Sequence, residues 1–242
     1  MPKVSIIIPC FNEERRLKKE PFLQFLHSGA DVVLLFVNDG STDNTLLLLE
    51  EIKKISPANT VILSYAENKG KAHAVFKGME HALYHNDSAY IGYLDADLST
   101  SLDDFLQLAV IAEQKQADYV FGSRIKMLNH IITRSGLRHF CGRVLTTIID
   151  TRYQLAIYDT QCGAKLFTPA IIKIITPTPF KTRWLFDVEI FLRIRETRKP
   201  LKGLEIPLPQ WTDPGNSKIS LLSIPSVCGE LLQLIKHYKR PK

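Results

Sequence analysis

The chain has 242 residues, of which 45% are hydrophobic, and 31 basic residues against 25 acidic ones give a net charge of +6. This size and composition suit a single domain with a full apolar core. The positive charge favours partners that carry phosphate or an anionic surface. Nucleic acid is not expected as a partner, because the basic residues lack an aromatic-lined platform or a known binding motif.

The four cysteines are widely scattered without a CxxC spacing, so the sequence indicates neither a zinc site nor a disulfide framework. The amino terminus leads directly into an apolar run of strand length and lacks the pattern of a secretory signal peptide. No stretch approaches the roughly 20 apolar residues that cross a bilayer. A cytoplasmic setting is therefore expected.

Short apolar, β-branched runs alternate with segments of helix length in the first half of the chain. Because these runs are apolar at nearly every position, they are typical of parallel strands covered on both faces. The alternation predicts an α/β fold, with a mostly parallel central sheet flanked by helices and a ligand crevice at the carboxyl ends of the strands. The predicted strands are residues 4–9, 32–37, 60–64, 90–94 and 119–122, and the predicted helices are residues 42–55, 71–84 and 102–114.

Beyond residue 124 the pattern is less regular. A helix is predicted at residues 184–195, and residues 220–242 place apolar residues ahead of a basic end. We predict a main domain at residues 1–219 and an amphipathic helix with a basic end at residues 220–242. That helix could lie on an anionic membrane surface, or it could pack on the domain with its basic residues complementing the helix dipole.

Polar residues follow the first three predicted strands. Glu13 follows the first strand, although its Asn-Glu-Glu context is also a normal helix start. Asp39 lies in an Asn-Asp-Gly turn that continues into helical sequence, so we expect it to face the crevice, where it can accept from a uracil imide or a ribose hydroxyl. Lys69 and Lys71 flank Gly70 at a helix start, which suits ribose and phosphates; a solvated charged turn is the alternative.

Asp95 and Asp97 end the fourth strand, one residue apart. Ionised carboxylates are costly to bury, so such a pair is expected to face a cleft. There it can hold Mg²⁺ or Mn²⁺, which would bridge the oxygens of a diphosphate. The alternative is that Asp97 caps the next helix. An EF-hand is excluded because Thr100 and Leu106 stand where that loop needs Gly and Glu. A phosphatase of the haloacid dehalogenase type would need a further set of acids downstream, and this chain has no convincing one.

Asp187 and Glu189 lie in an otherwise apolar segment, which is costly unless the two acids are paired or face a cavity. Asp187 is the candidate general base, or a group that orients an acceptor already ionised. The alternative is that it caps the helix that follows.

These segments, in this order, resemble the family 2 glycosyltransferases, which have the GT-A fold. Later segments resemble the subgroup that transfers sugars to polyprenyl phosphates, such as the dolichyl-phosphate β-glucosyltransferases. The family motifs are residues 8–13, 37–43, 68–71 and 95–97, and the subgroup motifs are residues 122–124, 159–167, 183–189, 211 and 217–218.

The resemblance implies inverting transfer of a sugar, expected to be glucose, from a UDP-sugar to a polyprenyl phosphate at the cytoplasmic membrane face, with Mg²⁺ or Mn²⁺ as cofactor and peripheral membrane contact. A growing glycan or another hydroxyl acceptor is the alternative, and a nucleotide-binding module without turnover is a third. The implied roles are donor binding by Pro9, Phe11, Glu13, Asp39, Lys71, Asp95 and Lys218, metal binding by Asp95 and Asp97, catalysis by Asp187 and Arg124, and acceptor-phosphate binding by Arg124, Arg134 and Arg138. A solvated surface is the alternative for Arg134 and Arg138.

Overall fold

The computed structural model describes residues 2–133, 136–212 and 224–240; the side chains of residues 137–139, 141 and 224 are not part of this description. The strands are β1 (Val4–Cys10), β2 (Val32–Asp39), β3 (Thr60–Tyr65), β4 (Tyr90–Tyr93), β5 (Tyr119–Ser123), β6 (Ile131–Thr133), β7 (Lys165–Phe167), β8 (Gly203–Pro207) and β9 (Gln210–Thr212). The helices are α1 (Lys19–Leu26), α2 (Thr45–Ile55), α3 (Lys71–His85), α4 (Leu102–Lys115), α5 (Gly136–Tyr153), α6 (Pro169–Ile175), α7 (Phe186–Glu196) and α8 (Ile224–His237).

Within the described residues, seven strands form the central sheet in the order β3-β2-β1-β4-β7-β5-β8. Neighbouring strands run parallel except at β7, which is antiparallel to both β4 and β5. Strands β6 and β9 form a separate parallel pair. The predicted α/β fold with a mostly parallel sheet is confirmed, and each of the five predicted strands is present.

Helices cover both faces of the sheet, because the inner strands are apolar on both sides. On β1, Ile6 and Ile8 belong to the apolar cluster under α1, α2 and α4, whereas Ile7 belongs to the cluster under α3, α6 and α7. All three side chains are fully buried. Truncation of such a residue to Ala typically costs about 2–5 kcal/mol, so the sheet is a rigid platform for the loops at its edge.

The sequence pattern does not predict α1, α5 or β7. Strand β7 has only three residues, which is too short for a recognisable period. Helix α5 carries apolar residues on its outward side as well as its inward side: Phe140 is 66% exposed, and Val144 and Ile148 are each 45% exposed. An apolar residue on both sides of a helix obscures the one-sided pattern from which helices are predicted.

The tail helix α8 packs on the domain through an apolar cluster that it shares with α5 and α7. Leu234 is fully buried in that cluster. The Glu230 carboxylate accepts hydrogen bonds from the backbone N–H groups of Trp184 and Leu185, at 2.9 and 2.8 Å, just before α7 begins. The structure thus has the helix packed on the domain, as one of the two predictions had it, and its contact with a membrane surface stays a prediction. In the described part of the chain, no helix is long and apolar enough to cross a membrane.

Candidate active site

The loops that follow β1 and β2 are joined at one edge of the sheet. Asn12, with a positive φ of 51°, accepts a hydrogen bond from the Thr42 backbone N–H at 2.8 Å, and the Asn12 N–H donates to the Ser41 hydroxyl at 3.0 Å. Parallel strands end at the same edge of a sheet, so these contacts hold the two loops that carry the predicted nucleotide-binding residues beside one another. Pro9 and Phe11, both partly buried, lie at this end of β1.

Asp39 ends β2 and is only 2% exposed. Its carboxylate accepts from the backbone N–H groups of Lys69, at 3.2 Å, and Gly70, at 2.6 Å, so it holds the loop that leads into α3. Gly40 has a φ of 70°, and a Cβ there would lie 2.5 Å from the Asn68 backbone nitrogen. The structure thus gives Asp39 a role in positioning the Lys71 loop, and its contact with a nucleotide remains a prediction.

Asp95 lies just after β4 and is paired with Lys71, whose Nζ is 2.5 Å from the Asp95 Oδ1. Gly163 packs so closely against the Asp95 carboxylate that a Cβ would overlap it. Burial lowers the pKa of the Lys71 ammonium, but the carboxylates of Asp95, Asp187 and Asp97 more than offset this, and its pKa lies above the usual value. Three predicted site residues therefore surround one lysine that stays charged at neutral pH.

Asp97 is held from two directions. Its Oδ1 accepts from the Ser99 N–H at 3.0 Å and the Ser99 hydroxyl at 2.8 Å, while its Oδ2 accepts from the Arg16 guanidinium at 2.9 Å. Leu98 between them has a φ of 50°, which is strained for a leucine and typical of functional turns. The proposed capping role is wrong, because the Ser101 hydroxyl is the N-cap of α4.

Glu13 is buried and lies close to Asp97, because both acids contact Arg16. The Arg16 Nε is 3.2 Å from the Glu13 Oε2, and the Glu13 backbone N–H donates to the Thr45 hydroxyl at 2.8 Å. The Arg16 guanidinium group therefore connects Glu13, in the loop after β1, with Asp97, in the loop after β4.

Asp187 lies in the first turn of α7, whose N-cap is Leu185, so the capping alternative is wrong here as well. Its Oδ1 accepts from the Tyr93 hydroxyl and from the Lys165 Nζ, the latter at 2.5 Å. Lys165 is fully buried and also donates to the Cys162 carbonyl at 2.5 Å. Burial, reinforced by the Asp187 charge, raises the pKa of Tyr93 well above its usual value, so the phenol stays a donor. Two donors hold the Asp187 carboxylate in one orientation.

Arg124 follows β5 and forms a bidentate ion pair with Asp159. The Arg124 Nε donates to the Asp159 Oδ2 at 2.6 Å, and the Nη2 donates to the Oδ1 at 2.7 Å. Its guanidinium carbon is 5.1 Å from the centre of the Trp211 ring. Burial lowers the pKa of Arg124, but Asp159 more than offsets this and raises it. The structure therefore places Arg124 in a buried pair, an arrangement that the sequence does not predict. Arg134 and Lys218 lie outside the described ranges, as does the side chain of Arg138.

Asp95 and Asp97 offer the hard oxygen ligands that Mg²⁺ and Mn²⁺ prefer, usually shared with substrate phosphates. No group of three or more His, Cys, Asp or Glu side chains converges as a metal centre in the described ranges. Each carboxylate instead contacts a side-chain cation, Lys71 on Asp95 and Arg16 on Asp97. Asp95 and Asp97 are the described residues that could hold such an ion beside a diphosphate, and this metal role stays a prediction.

Sequence reasoning missed four residues that shape this site. A lysine in the otherwise apolar β7 was the available signal for Lys165, since a buried charge needs a partner. Arg16 lies three residues after Glu13, a spacing at which side chains meet in a helical turn. Nothing local indicated that Tyr93 or Asp159 would supply a partner, because both contacts join distant segments.

Solved structures with the same architecture bind nucleotide sugars. Glucosyl-3-phosphoglycerate synthase from Mycobacterium tuberculosis, in complex with Mn²⁺ and UDP-glucose, aligns with a TM-score of 0.70 at 14% identity, covering 100% of this chain and 80% of that chain. A mannosyltransferase from Pyrobaculum calidifontis, in complex with GDP-Man and Mn²⁺, aligns with a TM-score of 0.66 at 16% identity, covering 99% and 66%. The fold is the GT-A fold of glycosyltransferases, as the resemblance implied.

The family model for glycosyl transferase family 2 matches residues 5–176, and the chain belongs to this family of glycosyltransferases. It is 30% identical over 234 residues to dolichyl-phosphate β-glucosyltransferase of Dictyostelium discoideum, covering 91% of this chain and 69% of the relative. It is 31% identical over 238 residues to the Saccharomyces cerevisiae enzyme of the same name, covering 90% and 69%. The predicted family is confirmed.

Proposed function

We propose that the protein transfers glucose from UDP-glucose to a polyprenyl phosphate, with inversion at the sugar, on the cytoplasmic face of a membrane. The observation that carries this proposal is the similarity over 91% of the chain to an enzyme named for glucose transfer to dolichyl phosphate. The arrangement of Asp95, Asp97, Lys71 and Asp187 at one edge of the sheet supports it, because the chemistry needs cationic and anionic groups together there.

The donor is proposed to bind across the ends of β1 to β4. Pro9, Phe11, Glu13 and Asp39 would contact the nucleoside, and Asp95 and Asp97 would hold Mg²⁺ or Mn²⁺. When bound, the metal neutralises charge on the leaving diphosphate. Lys71 adds a permanent positive charge beside it, since its raised pKa keeps the ammonium protonated. Lys218 would cover the diphosphate.

The acceptor is proposed to arrive at the Asp187 side. A phosphate monoester carries a charge of about −1.5 to −2 at pH 7, so its oxygen needs no general base to attack the sugar. Asp187, fixed by Tyr93 and Lys165, would orient the sugar and acceptor. Arg134 and Arg138 would supply the positive charge that an incoming phosphate needs, and Arg124 would share its guanidinium between Asp159 and the phosphate. Attack from the face opposite the departing diphosphate inverts the anomeric carbon.

Peripheral membrane contact is proposed through exposed apolar side chains near the acceptor side. On the outward side of α5, Phe140, Val144 and Ile148 are spaced four residues apart, and all three are exposed. Leu128, in the loop that follows Arg124, is 90% exposed. Such a surface on a chain with a charge of +6 suits an anionic membrane, where apolar side chains insert at the headgroup boundary.

Incubation of the purified protein with UDP-[¹⁴C]glucose, Mn²⁺ and undecaprenyl phosphate in detergent tests the proposal. Label that moves into the organic extract, with UDP-galactose and GDP-mannose giving much less, supports it. A parallel incubation with soluble oligosaccharides tests the hydroxyl acceptor. Label found only on the oligosaccharide would show that the acceptor is a glycan and not a lipid phosphate. UDP binding without consumption of the donor would indicate a binding module.

A further inference from the structure

Arg16 lies at the carboxylates of the cleft, although none of the donor or acceptor steps above uses it. Its Nη2 is 2.9 Å from the Asp97 Oδ2 and its Nε is 3.2 Å from the Glu13 Oε2. The three side chains are mostly shielded from water: Arg16 is 24% exposed, Asp97 14% and Glu13 8%. The arginine is therefore a partly buried cation between two acids that are predicted to face the donor.

The two sets of contacts on Asp97 differ in how easily they can be released. Ser99 belongs to the same tight turn, and its two hydrogen bonds to Oδ1 fix the carboxylate direction. Arg16 comes from a loop 81 residues away in sequence and reaches Oδ2 at the end of a long side chain. A divalent cation that binds Oδ2 competes directly with Arg16, because both are positively charged and use the same oxygen.

We propose that Arg16 is a tethered counter-cation that competes with the divalent metal for Asp97 until the donor diphosphate arrives. The proposal rests on the metal role proposed above for Asp97. In the nucleotide-free protein Arg16 neutralises Asp97 and weakens metal binding. A bound diphosphate offers Arg16 a different anion, so Asp97 becomes available to the metal. Metal and nucleotide then strengthen each other's binding by the same factor, as linkage requires.

The test measures Mn²⁺ alone, bound to the nucleotide-free protein, from the electron paramagnetic resonance signal of unbound Mn²⁺. Arg16→Gln and Arg16→Met remove the competing cation, and Arg15→Gln is the matched control, since the neighbouring Arg15 is exposed and carries the same charge. Both Arg16 variants are expected to bind Mn²⁺ about 3- to 5-fold more tightly than the wild type, the upper end of what a partly exposed ion pair contributes. Arg15→Gln is expected to change the affinity by less than about twofold.

Adding UDP gives a second readout. In the wild type UDP should tighten Mn²⁺ binding strongly, and in Arg16→Gln the tightening should be smaller because competition is already absent. Arg16 variants that bind Mn²⁺ no better than wild type or than Arg15→Gln, with thermal melts that show folded protein, would overturn the proposal. Asp97→Ala must lose Mn²⁺ binding. If Mn²⁺ binding persists in that variant, the assignment of the metal to Asp97 is wrong, and so is this proposal. A failure to glucosylate lipid would instead count against the proposed function and leaves the Mn²⁺ results decisive for Arg16.

Discussion

Two lysine–aspartate pairs in the cleft have the same 2.5 Å separation between nitrogen and oxygen but lie in different surroundings. In the Lys71–Asp95 pair both side chains are more than a third exposed, whereas Lys165 is fully buried and Asp187 is 6% exposed. A partly exposed pair is worth about 0–1 kcal/mol and can exchange partners. A buried pair that loses one member leaves an uncompensated charge. The first pair is suited to a changing ligand and the second to a fixed carboxylate.

Lys165→Met breaks the buried pair and should have the largest effect on stability. The free energy of unfolding is expected to fall by about 3–5 kcal/mol, because the buried Asp187 carboxyl would be left without its cationic partner. Guanidinium chloride unfolding measures this change, with Lys173→Met on the exposed face of α6 as a control expected to stay within about 0.5 kcal/mol of wild type. A loss below about 1 kcal/mol for Lys165→Met would show that the pair is not a structural anchor.

Lys71→Met breaks the partly exposed pair and should affect turnover more than stability. The free energy of unfolding is expected to change by less than about 1 kcal/mol, while the rate of glucose transfer falls about 100-fold through lost stabilisation of the leaving diphosphate. The matched control is Lys77→Met on the same helix, because Lys77 is similarly exposed and pairs with Glu80. Full activity in Lys71→Met, or equal losses in both variants, would contradict the role given to Lys71.

Combining Lys165→Met with Asp187→Leu should recover about 1–3 kcal/mol of the stability lost in Lys165→Met alone. The second change removes the buried Asp187 carboxyl that lacks its partner. Glucose transfer should stay low because the fixed carboxylate is gone. A double-mutant cycle of unfolding free energies gives the coupling between the two side chains. Strictly additive losses would mean that the two residues do not stabilise each other.

The smallest expected effect is a change in the pKa of Lys71 when a neighbouring carboxylate is replaced. Burial lowers this pKa and the carboxylates raise it, so Asp95→Asn should lower it, whereas Asp97→Asn should lower it less. The contribution of the pair to stability is fully present below the usual pKa of 10.5 and is lost as the pH rises through the raised value. Titration of ¹³C-labelled lysine side chains by NMR measures these shifts. Equal shifts in the two variants would show that Lys71 does not have Asp95 as its principal partner.

The proposed donor side of the cleft was predictable because its acids directly follow strands. Asp39, Asp95 and Asp97 lie where parallel strands end, so recognising the strands placed all three at one edge of the sheet. What the residues contact there was not predictable from local pattern. Arg16 reaches Asp97 across 81 residues, and Asp39 turned out to bind the backbone of a neighbouring loop.

The proposed acceptor side was less predictable because its residues come from distant segments. Asp187 is held by Tyr93, 94 residues away, and by Lys165 on a strand of three residues. Arg124 was recognised as a candidate, but its buried partner Asp159 lies 35 residues further along. Side-chain direction and long-range packing decide such contacts, and neither is encoded in the period of a single element.

The anomeric configuration of the lipid product is the sharpest test of inverting glucose transfer to a lipid phosphate. UDP-glucose and undecaprenyl phosphate should yield a glucosyl phosphate lipid whose anomeric proton and carbon signals in NMR spectra are those of the β-linkage, since attack opposite the leaving diphosphate inverts an α-linked donor. The same product must be absent when Asp97→Ala replaces the wild-type protein. An α-linked product, or glucose attached to a hydroxyl group and none to the lipid phosphate, would overturn the proposed function.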